Sequence, residues 1–192
     1  MADLQYKNYI FDFYGTLVDI WTDEDDEKLW EQMAALYAAY GADYFAAELK
    51  ANYDNHIKHQ ENQLRKRSQV TLKTLKEVGA TVILLSNAQR AFTQAEIEMT
   101  GCREFLDKIY ISSDYKMKKP QVEFMNLVLN DNQLNPEETV MVGNDFTSDM
   151  AIAQAAGIDG ILLNTFPYNQ SEIETLNTMN AKVIEDISEL VG

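Results

Sequence analysis

Apolar residues gather in short runs, each closed by a polar turn and followed by a stretch with helical spacing. The runs are Tyr9 to Phe13, Thr81 to Leu85, Lys108 to Ile111, Thr139 to Val142 and Gly160 to Leu163, with a weaker one from Ala181 to Ile184. Runs of this length, rich in β-branched side chains, suit strands buried on both faces, as in a parallel sheet. Between them, residues 68–80 place Val70, Leu72, Leu75 and Val78 near one helical face and stop at Gly79. Residues 121–131 and 148–157 read alike, the second ending at Gly157. Strand alternating with helix predicts an α/β fold with a doubly wound parallel sheet, whose ligand site lies beyond the carboxyl ends of the strands.

The alternation breaks after Asp19. Leu29, Met33, Leu36 and Tyr37 stand at helical spacing before a break at Gly41, and further amphipathic stretches follow from Tyr44 to Tyr53 and toward Arg67. We read residues 20–68 as a small all-helical insertion, a lid over the strand ends, within a core made of residues 1–19 and 69–192. Its aromatics (Trp21, Trp30, Tyr37, Tyr40, Tyr44, Phe45) read as the insertion's own core. The acid run Asp23 to Glu27 reads as a solvent-facing helix start, and His56 with His59 as a solvated pair.

Charge narrows the partners. Sixteen Lys plus Arg against 31 Asp plus Glu give a formal charge of −15. Such a field repels nucleic acid and anionic membrane, and an anionic small-molecule substrate would need local positive charge. Cys102 is the single cysteine, so no internal disulfide forms. The start MADLQYKNY lacks the pattern of a secretion leader, and no apolar run approaches the ~20 residues of a membrane span. A cytoplasmic protein, monomer or homodimer, is expected.

Four apolar runs end in unusual chemistry. Asp12 closes the first; a carboxylate there can be a nucleophile, a metal ligand or a cap for the Gly-Thr turn that follows. Ser86-Asn87 closes the second, a hydroxyl and an amide able to bind an anion. After the third comes Lys119, held extended by Pro120, which suits the first turn of a helix. The fourth ends in VGNDFTSDM, where Asp145 and Asp149, four apart, can share one face and hold a hard cation. Each signal alone is modest; their order along the chain is specific.

Together they resemble the haloacid dehalogenase superfamily. FDFYGTLVD is similar to its first motif, LLSNA to its second, Lys119-Pro120 to its third and VGNDFTSDM to its fourth. The resemblance implies a Rossmann-like core with a short helical cap. It implies Asp12 as the nucleophile of a covalent ester, with Ser86, Asn87 and Thr16 binding the transferred group and Lys119 steadying the charge. Mg²⁺ would be held by Asp12, the backbone carbonyl of Tyr14, Asp145 and Asp149.

Two features depart from the pattern. Tyr14 stands where most phosphatases of the superfamily carry a second Asp that protonates the leaving alcohol; a phenol of ordinary pKa near ~10 is a poor base at neutral pH. Tyrosine there resembles the 2-haloacid dehalogenases, whose halide leaves without a proton. Their cap arginine could correspond to Arg65 or Arg67. The order Asn144-Asp145 also leaves open which of the two is the first metal ligand; the charged one is favoured. Three readings fit. The first is a Mg²⁺-dependent phosphatase of a small phosphorylated metabolite working through an aspartyl-phosphate. The second is a metal-independent dehalogenase-like hydrolase, and the third a non-catalytic binding protein that keeps the fold.

Overall fold

Each apolar run becomes a strand. In the computed structural model, which describes residues 4–18, 63–165 and 168–192, these are β1 (Asn8–Phe11), β2 (Thr81–Ser86), β3 (Lys108–Ile111), β4 (Thr139–Gly143), β5 (Asp159–Leu163) and β6 (Lys182–Ile184). They form one sheet in the order β3-β2-β1-β4-β5-β6, every neighbouring pair parallel. Alternate residues point to opposite faces, and both faces are covered. Tyr9, Phe11, Val82, Leu84, Val140 and Val142 enter one core. Ile10, Ile83, Leu85, Met141 and Leu162 enter the other. This double burial explains why the runs are continuously apolar rather than alternating.

Six α-helices lie among the described residues: α1 (Gln63–Glu77), α2 (Arg90–Met99), α3 (Ser112–Tyr115), α4 (Val122–Asp131), α5 (Ala151–Ala156) and α6 (Gln170–Leu176). Leu72 and Leu75 of α1 and Ile97 of α2 join the first core, and Phe124, Met125 and Val128 of α4 and Ile152 of α5 join the second. Full burial of a leucine stabilises by roughly 1.5–3 kcal/mol each. The expected apolar face of α1 needs correction. Its buried stripe is Ser68, Thr71, Leu72 and Leu75, whereas Val70 is 65% exposed and Val78 37%. At 3.6 residues per turn, Val70 sits about 200° around the helix from Leu72. Val78 lies beyond the end of α1, beside the left-handed Gly79 that stops it.

Pro120 also differs from expectation. It does not sit in the first turn of a helix: α4 begins at Val122 with Gln121 as its extended N-cap. The chain divides into two compact units, Met1–Asp19 with Gln63–Gly192, and Ile20–Asn62. Helix α1 thus runs across the expected boundary at residue 69. The rest of the expected insertion, with its aromatics and His56 and His59, falls outside the described residues. No helix among the described residues is long and apolar enough to cross a membrane.

Candidate active site

With this strand order, the connections reverse direction between β1 and β4, and in doubly wound sheets ligands bind beyond the carboxyl ends of the strands at such a switch point. Asp12 is the first residue after β1, and its N–H donates to the Val142 carbonyl of β4 at 2.9 Å. The nucleophile candidate is therefore fixed at the switch point by sheet hydrogen bonding carried one residue past the strand.

Lys119 meets it there. Its Nζ donates to Asp12 Oδ1 at 2.6 Å and to Asp149 Oδ1 at 2.7 Å. All three side chains are buried. Asn87 clamps the lysine from behind: its Nδ2 donates to the Lys119 carbonyl at 3.0 Å, and its Oδ1 accepts from the Lys119 N–H at 2.7 Å. Asn87, expected to bind substrate, is thus occupied with the Lys119 backbone.

Asp149 is held as firmly. Its Oδ2 accepts from the N–H groups of Asn144 (3.0 Å) and Asp145 (3.1 Å). The carboxyl lies so close to β4 that a Cβ on Gly143 would fall 2.3 Å from Asp149 Cγ. Only glycine leaves that room. Residues Phe146–Met150 wind as a π-helical turn before α5, and Asp145 is its N-cap. Asp145 Oδ1 accepts from Thr147 N–H (2.6 Å), Thr147 Oγ1 (2.7 Å) and Ser148 N–H (2.7 Å). Asp145 and Asp149, expected to share one face, are given separate tasks. It is the Asn144 amide that reaches the loop after Asp12: a Cβ on Gly15, which has φ +76°, would meet Asn144 Nδ2 at 2.2 Å.

Electrostatics follow from burial. Desolvation pushes the Asp12 carboxyl up; Lys119 pulls it down and Asp149 pushes it up again, leaving it at about 6. Burial alone would lower Lys119, but the Asp12 and Asp149 carboxylates more than offset this and raise it. The Asp145 carboxyl is raised by partial burial, yet the hydrogen bonds from Thr147 and Ser148 outweigh that and hold it below its ordinary value. One ammonium facing two carboxylates leaves a negative balance around Lys119.

Ser86 and Thr16 are fully buried, and neither hydroxyl has a hydrogen-bond partner. Buried hydroxyls are ordinarily paired, so two orphans on the strand-end side of the sheet suit an anion that brings its own acceptors.

Tyr14 turns to α2. Its hydroxyl donates to Glu96 Oε2 and lies 2.8 Å from Thr93 Oγ1. Burial and the bond to Glu96 push the phenol well above its ordinary pKa. Burial also raises Glu96, against the bond from Tyr14. Sequence reasoning missed Glu96 and Thr93. The signal was there: positions 93, 96 and 97 form the buried stripe of α2, so Glu96 shares a face with Ile97. Of the arginines considered for a haloacid carboxylate, Arg67 pairs with Asp186 near the C-terminus, and the Arg65 side chain lies outside the described residues.

Among the described residues, no group of three or more His, Cys, Asp or Glu side chains stands ready-made for a metal. The chemistry at hand still suits a hard cation, because the available donors are oxygens and the carboxylates outnumber the ammonium.

A family model described as haloacid dehalogenase-like hydrolase matches residues 23–163, most of the chain. The chain belongs to this family. The matched span carries Ser86, Lys119, Asp145 and Asp149 and begins after Asp12. Among curated relatives, the glyceraldehyde 3-phosphate phosphatase of Methanothermobacter thermautotrophicus is 30% identical over 122 residues, 62% of this chain and 54% of that protein. The phosphoglycolate phosphatase of Vibrio vulnificus is 28% identical over 127 residues, 66% of this chain and 55% of that one. The chain spans about half the length of these two relatives. A solved haloacid dehalogenase-like phosphatase from Thermococcus onnurineus superposes with a TM-score of 0.68 at 17% identity, covering 96% of this chain and 95% of that one. That likeness is one of fold.

Proposed function

We propose that the protein is a Mg²⁺-dependent phosphatase of a small phosphorylated metabolite, working through an aspartyl-phosphate on Asp12. One observation carries the reading: a carboxylate buried at the switch point, 2.6 Å from a lysine that also holds a second buried carboxylate. A carboxylate nucleophile splits hydrolysis into two easier steps. Lys119 fixes the attacking carboxylate and offsets its charge, Asn87 fixes Lys119, and Ser86 and Thr16 donate to the phosphoryl oxygens.

Mg²⁺ would be held by Asp12, the backbone carbonyl of Tyr14, Asp145 and Asp149, with Asp145 giving up part of its cap; Asn144, against Gly15, is the competing neighbour. Bound there, the cation neutralises charge that would otherwise keep a phosphate away from a carboxylate. The names of the curated phosphatases support a phosphorylated metabolite as substrate. A single cysteine, Cys102, accords with a cytoplasmic location.

Turnover of para-nitrophenyl phosphate tests the reading: Asp12→Asn should abolish it, and EDTA should remove it reversibly. Activity that survives either treatment contradicts the mechanism. A second reading, a metal-independent dehalogenase-like hydrolase, draws on Tyr14, since a halide leaves without a proton; Asp12-dependent chloride release from chloropropionate would favour it. If no substrate is turned over, a non-catalytic binding role is the reading that is left.

A further inference from the structure

An alkoxide leaving phosphorus is a very strong base and needs a proton delivered as it departs; a carboxylate or an acidic phenolate needs none. The described residues around Asp12 offer few protons. Lys119 spends two of its three N–H groups on Asp12 and Asp149. Tyr14, two residues past Asp12, has a single hydrogen, and it is aimed at Glu96 Oε2 on α2. Its oxygen is engaged as well, 2.8 Å from Thr93 Oγ1. Glu96 is buried, and its Oε2 is taken up by the Tyr14 hydrogen. The hydroxyls of Thr16 and Ser86 are no more acidic than the alcohol they would have to protonate.

We infer that this site is built for phosphoryl compounds whose leaving group departs as a stable anion, acyl phosphates foremost, and that phosphates of ordinary alcohols are poor substrates. The inference rests on the aspartyl-phosphate reading above and names its substrate class. In the first step an Asp12 carboxylate oxygen bonds to phosphorus while the bond from phosphorus to the acyl oxygen breaks. The electron pair leaves with that oxygen, so the product is a carboxylate that takes up no proton. In the second step a water oxygen bonds to phosphorus and the bond to Asp12 breaks. Its electron pair restores the Asp12 carboxylate, and the protons of water end on inorganic phosphate and in solvent.

The test uses the full chain with Mg²⁺, comparing kcat/KM across substituted phenyl phosphates, acetyl phosphate and glycerol phosphate, each corrected for the rate left in Asp12→Asn. A general acid is worth roughly a hundredfold or more, so kcat/KM should fall at least about that far from the most to the least acidic phenol. Acetyl phosphate should be turned over readily and glycerol phosphate should lie at the bottom of the series. A flat dependence on leaving-group acidity, with glycerol phosphate as good as acetyl phosphate, overturns the inference while leaving Asp12 as nucleophile. Absence of Asp12-dependent turnover on all of these compounds removes the phosphatase reading itself, and the inference with it.

Discussion

As the proposed nucleophile, Asp12 must be ionised to attack, yet its surroundings resist ionisation. Burial, and the Asp149 carboxylate across Lys119, lift its pKa from 3.8 to about 6. A group whose folded pKa is raised contributes stability that is complete below its unfolded value and is lost as pH rises through the folded value. In EDTA, the urea midpoint of the wild type relative to Asp12→Asn should therefore decline between about pH 4 and about pH 7. A relative midpoint that is flat or climbs with pH would show that the ionised carboxylate is already the favoured form. Asp12, Lys119 and Asp149 were legible because each follows an apolar run at a fixed place in the strand-helix alternation. The tasks of Asn87, Asp145 and Glu96 were not. They depend on which backbone or side-chain group becomes a neighbour only when distant segments meet: Lys119 N–H is 32 residues from Asn87, and the Tyr14 hydroxyl is 82 from Glu96.

The turn after β4 turns a strand end into a site. Asp149 packs onto Gly143 and accepts two backbone N–H groups, so the turn and the Lys119 partner form one unit. Gly143→Ala should cost about 1–3 kcal/mol by overpacking. A displacement of Asp149 near 1 Å should lower kcat/KM by about a hundredfold. An alanine variant with wild-type activity would mean that Asp149 can move without consequence. Helix α1 gives a simpler test of packing. Leu72→Ala should cost about 2–5 kcal/mol in a urea titration. Val70→Ser, on the exposed side, should stay within about 0.5 kcal/mol. The six strands could be read from short apolar runs because burial on both faces leaves little room for polar residues. The face of α1 was read less well because Ser68 and Thr71, though polar, are on its buried side. The start of α4 was missed because Pro120 precedes the helix instead of opening it.

Across the molecule, a formal charge of −15 opposes an anionic substrate before any contact is made. Raising ionic strength from about 0.01 M to about 0.15 M shortens the screening length from roughly 30 Å to roughly 8 Å. At fixed Mg²⁺, kcat/KM for a phosphate substrate should therefore rise, by about twofold to tenfold. A fall would point to local positive charge that dominates the approach. The α/β class and the strand-end location of the site followed from alternation alone. The order of strands did not, since it records which runs pair across long separations. That order is what gathers the scattered residues: it sets β1 beside β4, and so Asp12 beside the turn that carries Asp149.

The central claim is that Asp12 forms a covalent bond to phosphorus. Rapid acid quench during turnover of acetyl phosphate with Mg²⁺, followed by mass analysis of the peptides, examines it directly. The account predicts a transient phosphoryl group on the peptide containing Asp12, and none in Asp12→Asn. Steady turnover with no phosphoryl group on Asp12, or with one on another residue, would contradict it.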